Sequence, residues 1–381
     1  MLRRLVSALA LVFFAAACQQ SSAPSRTTVA GPVATKGSAT APKTAAASAQ
    51  PGTAGTTDAD KKAAALNRTA CDKGDMDSCV SLGLAYKQGH GVPLDYAQAK
   101  ALYTKACDAG VQSGCSFMGV LYEDGLGVPK DTKHALALYD SACAKNDAFG
   151  CARGGNLRLG DPKSAPAGFA GLQKGCALGD LDSCDQAGWA QLKGEGVKAD
   201  PAKAAAIFRK ACDGGDGAGC NHLAHRYDNG EGVAKDVGQA VSLYERACKL
   251  GNIESCDVVG WRLFKGQDVP SDLTRAVAMF RRACVGGVGR GCNHLAHRYE
   301  NGEGVAADQT QAAMYYAKGC QLGDTQSCEL SGDHVAAGLG TAIDLPGAAT
   351  LYQKACNGGE AGGCSKLADL ERKGVHPAAG H

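Results

Sequence analysis

Apolar residues recur at spacings of three and four along most of the chain. The stretch from Asp95 to Cys115 shows the pattern in full: Ala99, Leu102, Tyr103, Ala106 and Cys107 fall on one face of a helix. A second helix, read from Cys115, places Met118, Gly119 and Tyr122 on its buried face and breaks at Gly125. Aspartates stand where N-caps belong. Asp95, Asp131, Asp200, Asp236, Asp272, Asp308 and Asp344 precede the first helix of each unit, and Pro201 follows Asp200 at a position where a missing N–H costs nothing. Asp75, Asp147, Asp180, Asp216, Asn252 and Asp324 play the same part before the second helix. Between the two helices comes Gly110 or an equivalent glycine, replaced once by Asn146, at the place where a left-handed residue ends a helix. Gly-x-Gly-Val breaks at Gly89, Gly125, Gly194, Gly230 and Gly302, with variants at Gly266 and Gly338, close the second helix. The pattern predicts a unit of two antiparallel helices and two turns.

Cysteine spacing turns this unit into a repeat. Eighteen of the nineteen cysteines form nine pairs: Cys71 with Cys79, Cys107 with Cys115, Cys143 with Cys151, Cys176 with Cys184, Cys212 with Cys220, Cys248 with Cys256, Cys284 with Cys292, Cys320 with Cys328, and Cys356 with Cys364. The pairs recur every 36 residues, except for a step of 33 from Cys143 to Cys176. The first cysteine falls in the last turn of one helix and the second in the first turn of the next, so each pair closes a tight hairpin. The short unit between Cys151 and Cys176 lacks the glycine break and carries Pro162 and Pro166, which predicts a local irregularity. Thiolate zinc sites bring cysteines two to four residues apart and need four ligands; isolated pairs on an exported chain read instead as disulfides.

Export is read from the N-terminus. Arg3 and Arg4 precede a mostly apolar stretch from Leu5 to Phe14, then Ala15-Ala16-Ala17-Cys18, which describes a signal segment too short to span a bilayer. The end of that segment resembles a bacterial lipobox, with Ala15 in place of the usual Leu. Residues 1–17 are then removed and Cys18 is acylated; the alternative is an ordinary cleaved signal with a free thiol at Cys18. Residues 18–58, rich in Ala, Ser, Thr, Gly and Pro, form a tether with an average reach of roughly 35 Å. The repeat array occupies residues 59–375 and a short tail residues 376–381. This places the protein in a cell envelope, anchored to a membrane through an N-terminal lipid and facing the periplasm or exterior.

Composition narrows the function. Lys and Arg number 40 against 38 Asp and Glu, interspersed along the chain, so no nucleic-acid partner is implied. With aromatics at 6% and 52 glycines, the core must be Ala, Leu, Cys and a few Tyr or Phe in thin, closely packed layers.

Several short patterns carry a resemblance. Cys79, Leu82, Gly83 and Tyr86 (C-x-x-L-G-x-x-Y), Ala99, Leu102 and Tyr103 (A-x-x-L-Y), Ala106, Cys107 and Gly110 (A-C-x-x-G) and the G-x-G-V-x-x-D breaks resemble the Sel-one-like repeat family over residues 60–374. The paired cysteines resemble more specifically the Helicobacter cysteine-rich proteins, a secreted branch of it. The resemblance implies an all-α fold, a right-handed α/α superhelical solenoid related to tetratricopeptide arrays, whose concave face binds a protein or peptide, with no cofactor. Members of that branch are often described as penicillin-binding or as β-lactamases, which makes a β-lactamase or peptidoglycan-peptide-binding protein the alternative. Neither Ser-x-x-Lys, Ser-Asp-Asn nor Lys-Thr-Gly occurs in the chain, nor a His-x-His-x-Asp-His cluster, so no catalytic residue and no metal ligand is assigned.

One motif invites a functional reading. Asn221-His222-Leu223-Ala224-His225-Arg226-Tyr227 is repeated identically as Asn293-His294-Leu295-Ala296-His297-Arg298-Tyr299, two units on. With Leu223 and Tyr227 buried, His222 and His225 share another face, where they could meet one metal ion or an acidic ligand. Five residues after the second cysteine of consecutive units stand Trp189, His225, Trp261 and His297, and Arg226, Arg262 and Arg298 follow the last three. In a stacked array these make an aromatic stripe beside a basic one, suited to partner contact. The plain alternative is a set of partly exposed side chains copied by duplication.

Overall fold

The computed structural model describes residues 57–378 apart from 267 and 268. Cys18, the export segment and nearly all of the tether lie outside the described residues. Within them there are eighteen α-helices and no strand. The first nine are α1 (Asp58–Asp72), α2 (Met76–Gln88), α3 (Tyr96–Asp108), α4 (Gln112–Asp124), α5 (Thr132–Ala144), α6 (Ala148–Leu159), α7 (Ala165–Ala177), α8 (Leu181–Lys193) and α9 (Pro201–Asp213). The array continues with α10 (Gly217–Asn229), α11 (Val237–Lys249), α12 (Ile253–Lys265), α13 (Leu273–Val285), α14 (Gly289–Asn301), α15 (Gln309–Gln321), α16 (Thr325–Ala337), α17 (Leu345–Asn357) and α18 (Ala361–Arg372). Each helix packs against the one before and the one after, and even-numbered helices also reach the next even-numbered helix, forming a continuous row.

The capping expectations hold in detail. Asp95 accepts from the amides of Ala97 and Gln98, and Asp131, Asp200, Asp236, Asp272, Asp308 and Asp344 each cap their own odd-numbered helix. At the hairpins Asp75, Asp147, Asp180, Asp216, Asn252 and Asp324 cap the even-numbered helices. Asn146, at φ 66°, is the one non-glycine with positive φ among the described residues, as its place in the hairpin requires.

All nine cysteine pairs sit across these hairpins at bonding distance. Cys71 meets Cys79, Cys107 meets Cys115, Cys143 meets Cys151, Cys176 meets Cys184, Cys212 meets Cys220, Cys248 meets Cys256, Cys284 meets Cys292, Cys320 meets Cys328 and Cys356 meets Cys364, with Cα atoms 4.4–4.9 Å apart. The second cysteine of each pair lies in the first turn of its helix. Cys79, Cys115, Cys151, Cys184, Cys220, Cys256, Cys292 and Cys328 are all buried there, and Cys364 in the last unit is half-buried. These pairs are therefore internal joints, and they offer almost no surface to a partner.

The core is a file of aromatic rings from the odd-numbered helices, Tyr103, Tyr139, Phe208, Tyr244, Phe280 and Tyr316, all fully buried against small residues of the even ones. On α4 the expected face is displaced: Gly119 is buried, but Met118 and Tyr122 are only half-buried, while Val120 and Leu121 are buried. A helix wedged between α3 and α5 buries a wider arc than a single seam. The short unit does break the pattern. Gly160 ends α6 in right-handed geometry, the chain re-enters at α7 without a side-chain cap from Ser164, and Gly155 meets Gly168 so closely that a Cβ on Gly155 would stand 2.9 Å from the Gly168 carbonyl oxygen.

The second glycine of each Gly-x-Gly break joins one unit to the last. Gly232 has φ +74°, and a Cβ there would run into the backbone of Pro201 and Ala202 at the start of α9. Gly232→Ala is therefore expected to destabilise the array by about 2–5 kcal/mol, adding left-handed strain to overpacking. Urea unfolding followed by circular dichroism checks this, and an unchanged midpoint would refute the joint.

Candidate functional site

From Cys184 onward the residue five after the second cysteine suits the buried aromatic of the next helix, whereas Leu84 and Val120 hold this place in the units of Tyr103 and Tyr139. Where the buried aromatic is Phe208, Trp189 packs on it with ring centroids 5.8 Å apart. Where it is Tyr244 or Tyr316, a histidine stands above and meets the hydroxyl: His225 Nδ1 lies 2.9 Å from Tyr244 Oη and His297 Nδ1 2.8 Å from Tyr316 Oη. Asp333 continues the rule, accepting from Tyr352 at 2.9 Å. Tyr316 also donates to Glu300 at 2.6 Å, so its lone pair receives the His297 Nδ1–H, leaving Nε2 free to accept. Burial pushes both phenols above their ordinary range.

His222 and His225 do not converge on one ligand, the arrangement their spacing would have allowed. His222 Nδ1 turns back to Asp185 on α8 at 2.5 Å, while His225 turns forward to Tyr244 on α11. His294 and His297 divide in the same way, between Asp257 on α12 at 2.8 Å and Tyr316 on α15. Among the described residues no group of three or more His, Cys, Asp or Glu side chains is arranged to hold a metal ion. The backward contacts form a ladder between units, since Glu329 meets Lys366 at 2.7 Å in the corresponding place.

The basic stripe also differs from expectation. Arg226 and Arg298 are 8% and 6% exposed, each held 2.9 Å from a loop carboxylate, Glu231 and Glu303 respectively. Arg298 Cζ lies over the Phe264 ring, 3.6 Å from its centroid, and Arg262 pairs with Asp228 at 2.5 Å. One step round the helix from the exposed column, these side chains enter the seam between units and brace it. The aromatic stripe stays accessible: Trp261 is 40% exposed with Lys265 Nζ 4.7 Å from its ring, His225 is exposed, and Trp189 and His297 are half-buried.

Burial, followed by the charges of Arg226 and His222, lowers the His225 imidazole below its ordinary value of 6.5; for His297 burial outweighs the opposing charge of Glu300. Both rings are neutral at pH 7. A depressed histidine contributes stability that is present above the unfolded value and lost as pH falls through the folded one. NMR titration should find both midpoints below that of a free imidazole, and midpoints at or above it would overturn this assignment.

Seven segments match the Sel1 repeat, residues 77–111, 112–147, 181–216, 217–252, 253–287, 289–324 and 329–360, leaving out the short unit. Among solved structures, the chain is similar to c5321, a protective antigen present in uropathogenic Escherichia coli strains displaying an SLR fold, with 26% identity and a TM-score of 0.55, covering 82% of this chain and 75% of that one. A Sel1 repeat protein from Oxalobacter formigenes shares the fold at 21% identity and a TM-score of 0.64, covering 80% of this chain and 90% of that one. The Helicobacter pylori cysteine rich protein B is 31% identical over 35% of this chain and 96% of its own, with a TM-score of 0.30. No curated protein sequence matches the chain.

Proposed function

The chain belongs to the Sel1 repeat family, and from that we propose that it is an exported, lipid-anchored scaffold that takes a protein or peptide partner on its row of even-numbered helices. The observation that carries this reading is the exposed indole of Trp261, with the Lys265 ammonium beside it and the nearby Arg262 and Asp257 already paired. Large aromatic side chains in such places are the usual anchors of interfaces. A disulfide in every unit suits an oxidising compartment outside the cytosol, and the lipobox-like segment that ends at Cys18 supports attachment through an N-terminal lipid. No residue of the site and no relative supports the β-lactam reading.

Crosslinking from native membranes followed by mass spectrometry tests the scaffold. A recovered protein that is lost when Trp261→Ala and Arg262→Ala are combined supports the face, and one that survives both changes counts against it. Detergent partitioning tests the anchor: Cys18→Ser should move the protein to the aqueous phase.

A further inference from the structure

Two stretches of the row of even-numbered helices carry the same set of residues, with a half-buried Trp189 edge-on to its histidine at 76° and an exposed Trp261 stacked on its own at 27°. In the first, Trp189 on α8 lies 4.9 Å from the His222 ring, Phe208 backs that imidazole at 5.2 Å, and Lys193 Nζ stands 5.6 Å from the indole. In the second, Trp261 on α12 lies 4.9 Å from the His294 ring, Phe280 backs it at 4.9 Å, and Lys265 Nζ stands 4.7 Å away. Asp185 and Asp257 hold the two histidines from the preceding helix. The unit between them presents His225 in place of a tryptophan, so the two indoles are separate platforms two units apart.

Charge says what could cover them. Arg226 is matched by Glu231, Arg262 by Asp228, Arg298 by Glu303, Lys193 by Glu195 at 3.7 Å, and Asp257 by His294 and Arg290. With these pairs made, Lys265 beside Trp261 is the cation of the two platforms for which no carboxylate partner is seen among the described contacts. A surface otherwise neutralised from within gives little electrostatic attraction to a charged ligand, while its indole faces favour apolar or aromatic groups. The spacing gives the second constraint. Asp185 to His222, and Asp228 to Arg262, put successive even-numbered helices in side-chain contact, so two steps of about 8–10 Å separate the platforms by roughly 16–20 Å. An extended chain covers that distance in about five or six residues.

We propose that Trp189 and Trp261 are paired subsites for one extended, uncharged peptide segment carrying two apolar anchor residues about six positions apart. This rests on the scaffold reading above and deepens it. Both anchors act on one chain, so the second engages at high effective concentration and affinity comes from the pair.

The two tryptophans are the only ones in the protein, so their fluorescence reports these subsites alone. The probe is a neutral Ser/Gly peptide with two phenylalanines six positions apart, compared on the full chain in detergent with the same peptide carrying one phenylalanine. The two-anchor peptide should bind roughly 10- to 100-fold more tightly. In Trp261→Ser, with its helical circular dichroism intact, the two peptides should bind alike while Trp189 still reports. Raising salt from about 0.05 to 0.5 M should change affinity less than twofold. Equal binding of the two peptides to the unmodified protein, no response up to millimolar peptide, or a tenfold loss with salt overturns the proposal. A partner from native membranes that binds Trp189→Ser and Trp261→Ser unchanged also overturns it, though the scaffold reading would stand.

Discussion

Reduction of the nine bridges with excess dithiothreitol is expected to abolish most of the helical circular dichroism at 37 °C, a temperature at which the oxidised protein keeps it. Most helices here are 13 residues long, which is marginal for an isolated helix in water. Their packing is thin as well: alanines such as Ala99, Ala135, Ala204 and Ala276 fill most of the space around each ring, and each unit touches only its neighbours. In the chain-entropy picture, each bridge closes a loop of about nine residues and contributes roughly 2–3 kcal/mol. Even with strong non-additivity, nine such contributions compare with the roughly 5–15 kcal/mol that typically holds a folded domain.

Position within the array refines this expectation. Replacing Cys212 and Cys220 by Ala, in the middle, should lower the melting temperature more than replacing Cys356 and Cys364, because the central unit couples to neighbours on both sides. Cys212 and Cys220 are also fully buried and pack with Ala247 of the next unit, so their loss opens a gap as well as a loop. Equal melting of oxidised and reduced protein would remove the bridges from the account of stability.

What could be read from the chain alone follows the range of each interaction. Asp95 caps its own helix and Cys107 bonds to Cys115 across one hairpin, and both are decided within a dozen residues. Contacts between units were not legible in the same way. Asp257 and His294 are 37 residues apart, one unit plus one step, so neither residue's local pattern announces the other. The same reason hid the burial of Arg226 and Arg298, whose seam exists only once units stack. One signal does lie in the sequence: Phe208 and Phe280 alternate with Tyr244 and Tyr316 in step with Trp189, Trp261, His225 and His297. A core hydroxyl favours a polar neighbour and a bare ring does not need one, which accounts for His225 and His297 beside Tyr244 and Tyr316 without invoking a ligand, although the Tyr103 hydroxyl has no such neighbour.

Asp257→Ala is expected to cost about 2–4 kcal/mol, below the full value for breaking a buried ion pair because one of its partners can return to water. Asp257 is 2% exposed and receives Arg290 Nε at 2.6 Å and His294 Nδ1 at 2.8 Å, whereas Arg290 is 62% exposed and rehydrates when released. The equivalent Asp185→Ala should cost less, since Asp185 is less buried and only His222 reaches it among the described contacts. Burial alone would raise the Asp257 carboxyl, but the hydrogen bonds and charges of His294 and Arg290 outweigh it and hold the group below its ordinary 3.8. A depressed carboxyl contributes stability that is present above its unfolded value and lost as pH falls through the folded one. The gap in urea midpoint between the native protein and Asp257→Ala should therefore be full near pH 6 and shrink as pH falls below about 4. A gap that is constant across this range would mean that Asp257 acts by shape and not by charge. The same substitution should alter Trp261 emission, because His294 lies stacked against that indole at an interplanar angle of 27° and Asp257 is what keeps it there. In this way the acid buried at the joint between two units also sets the surface proposed to meet a partner.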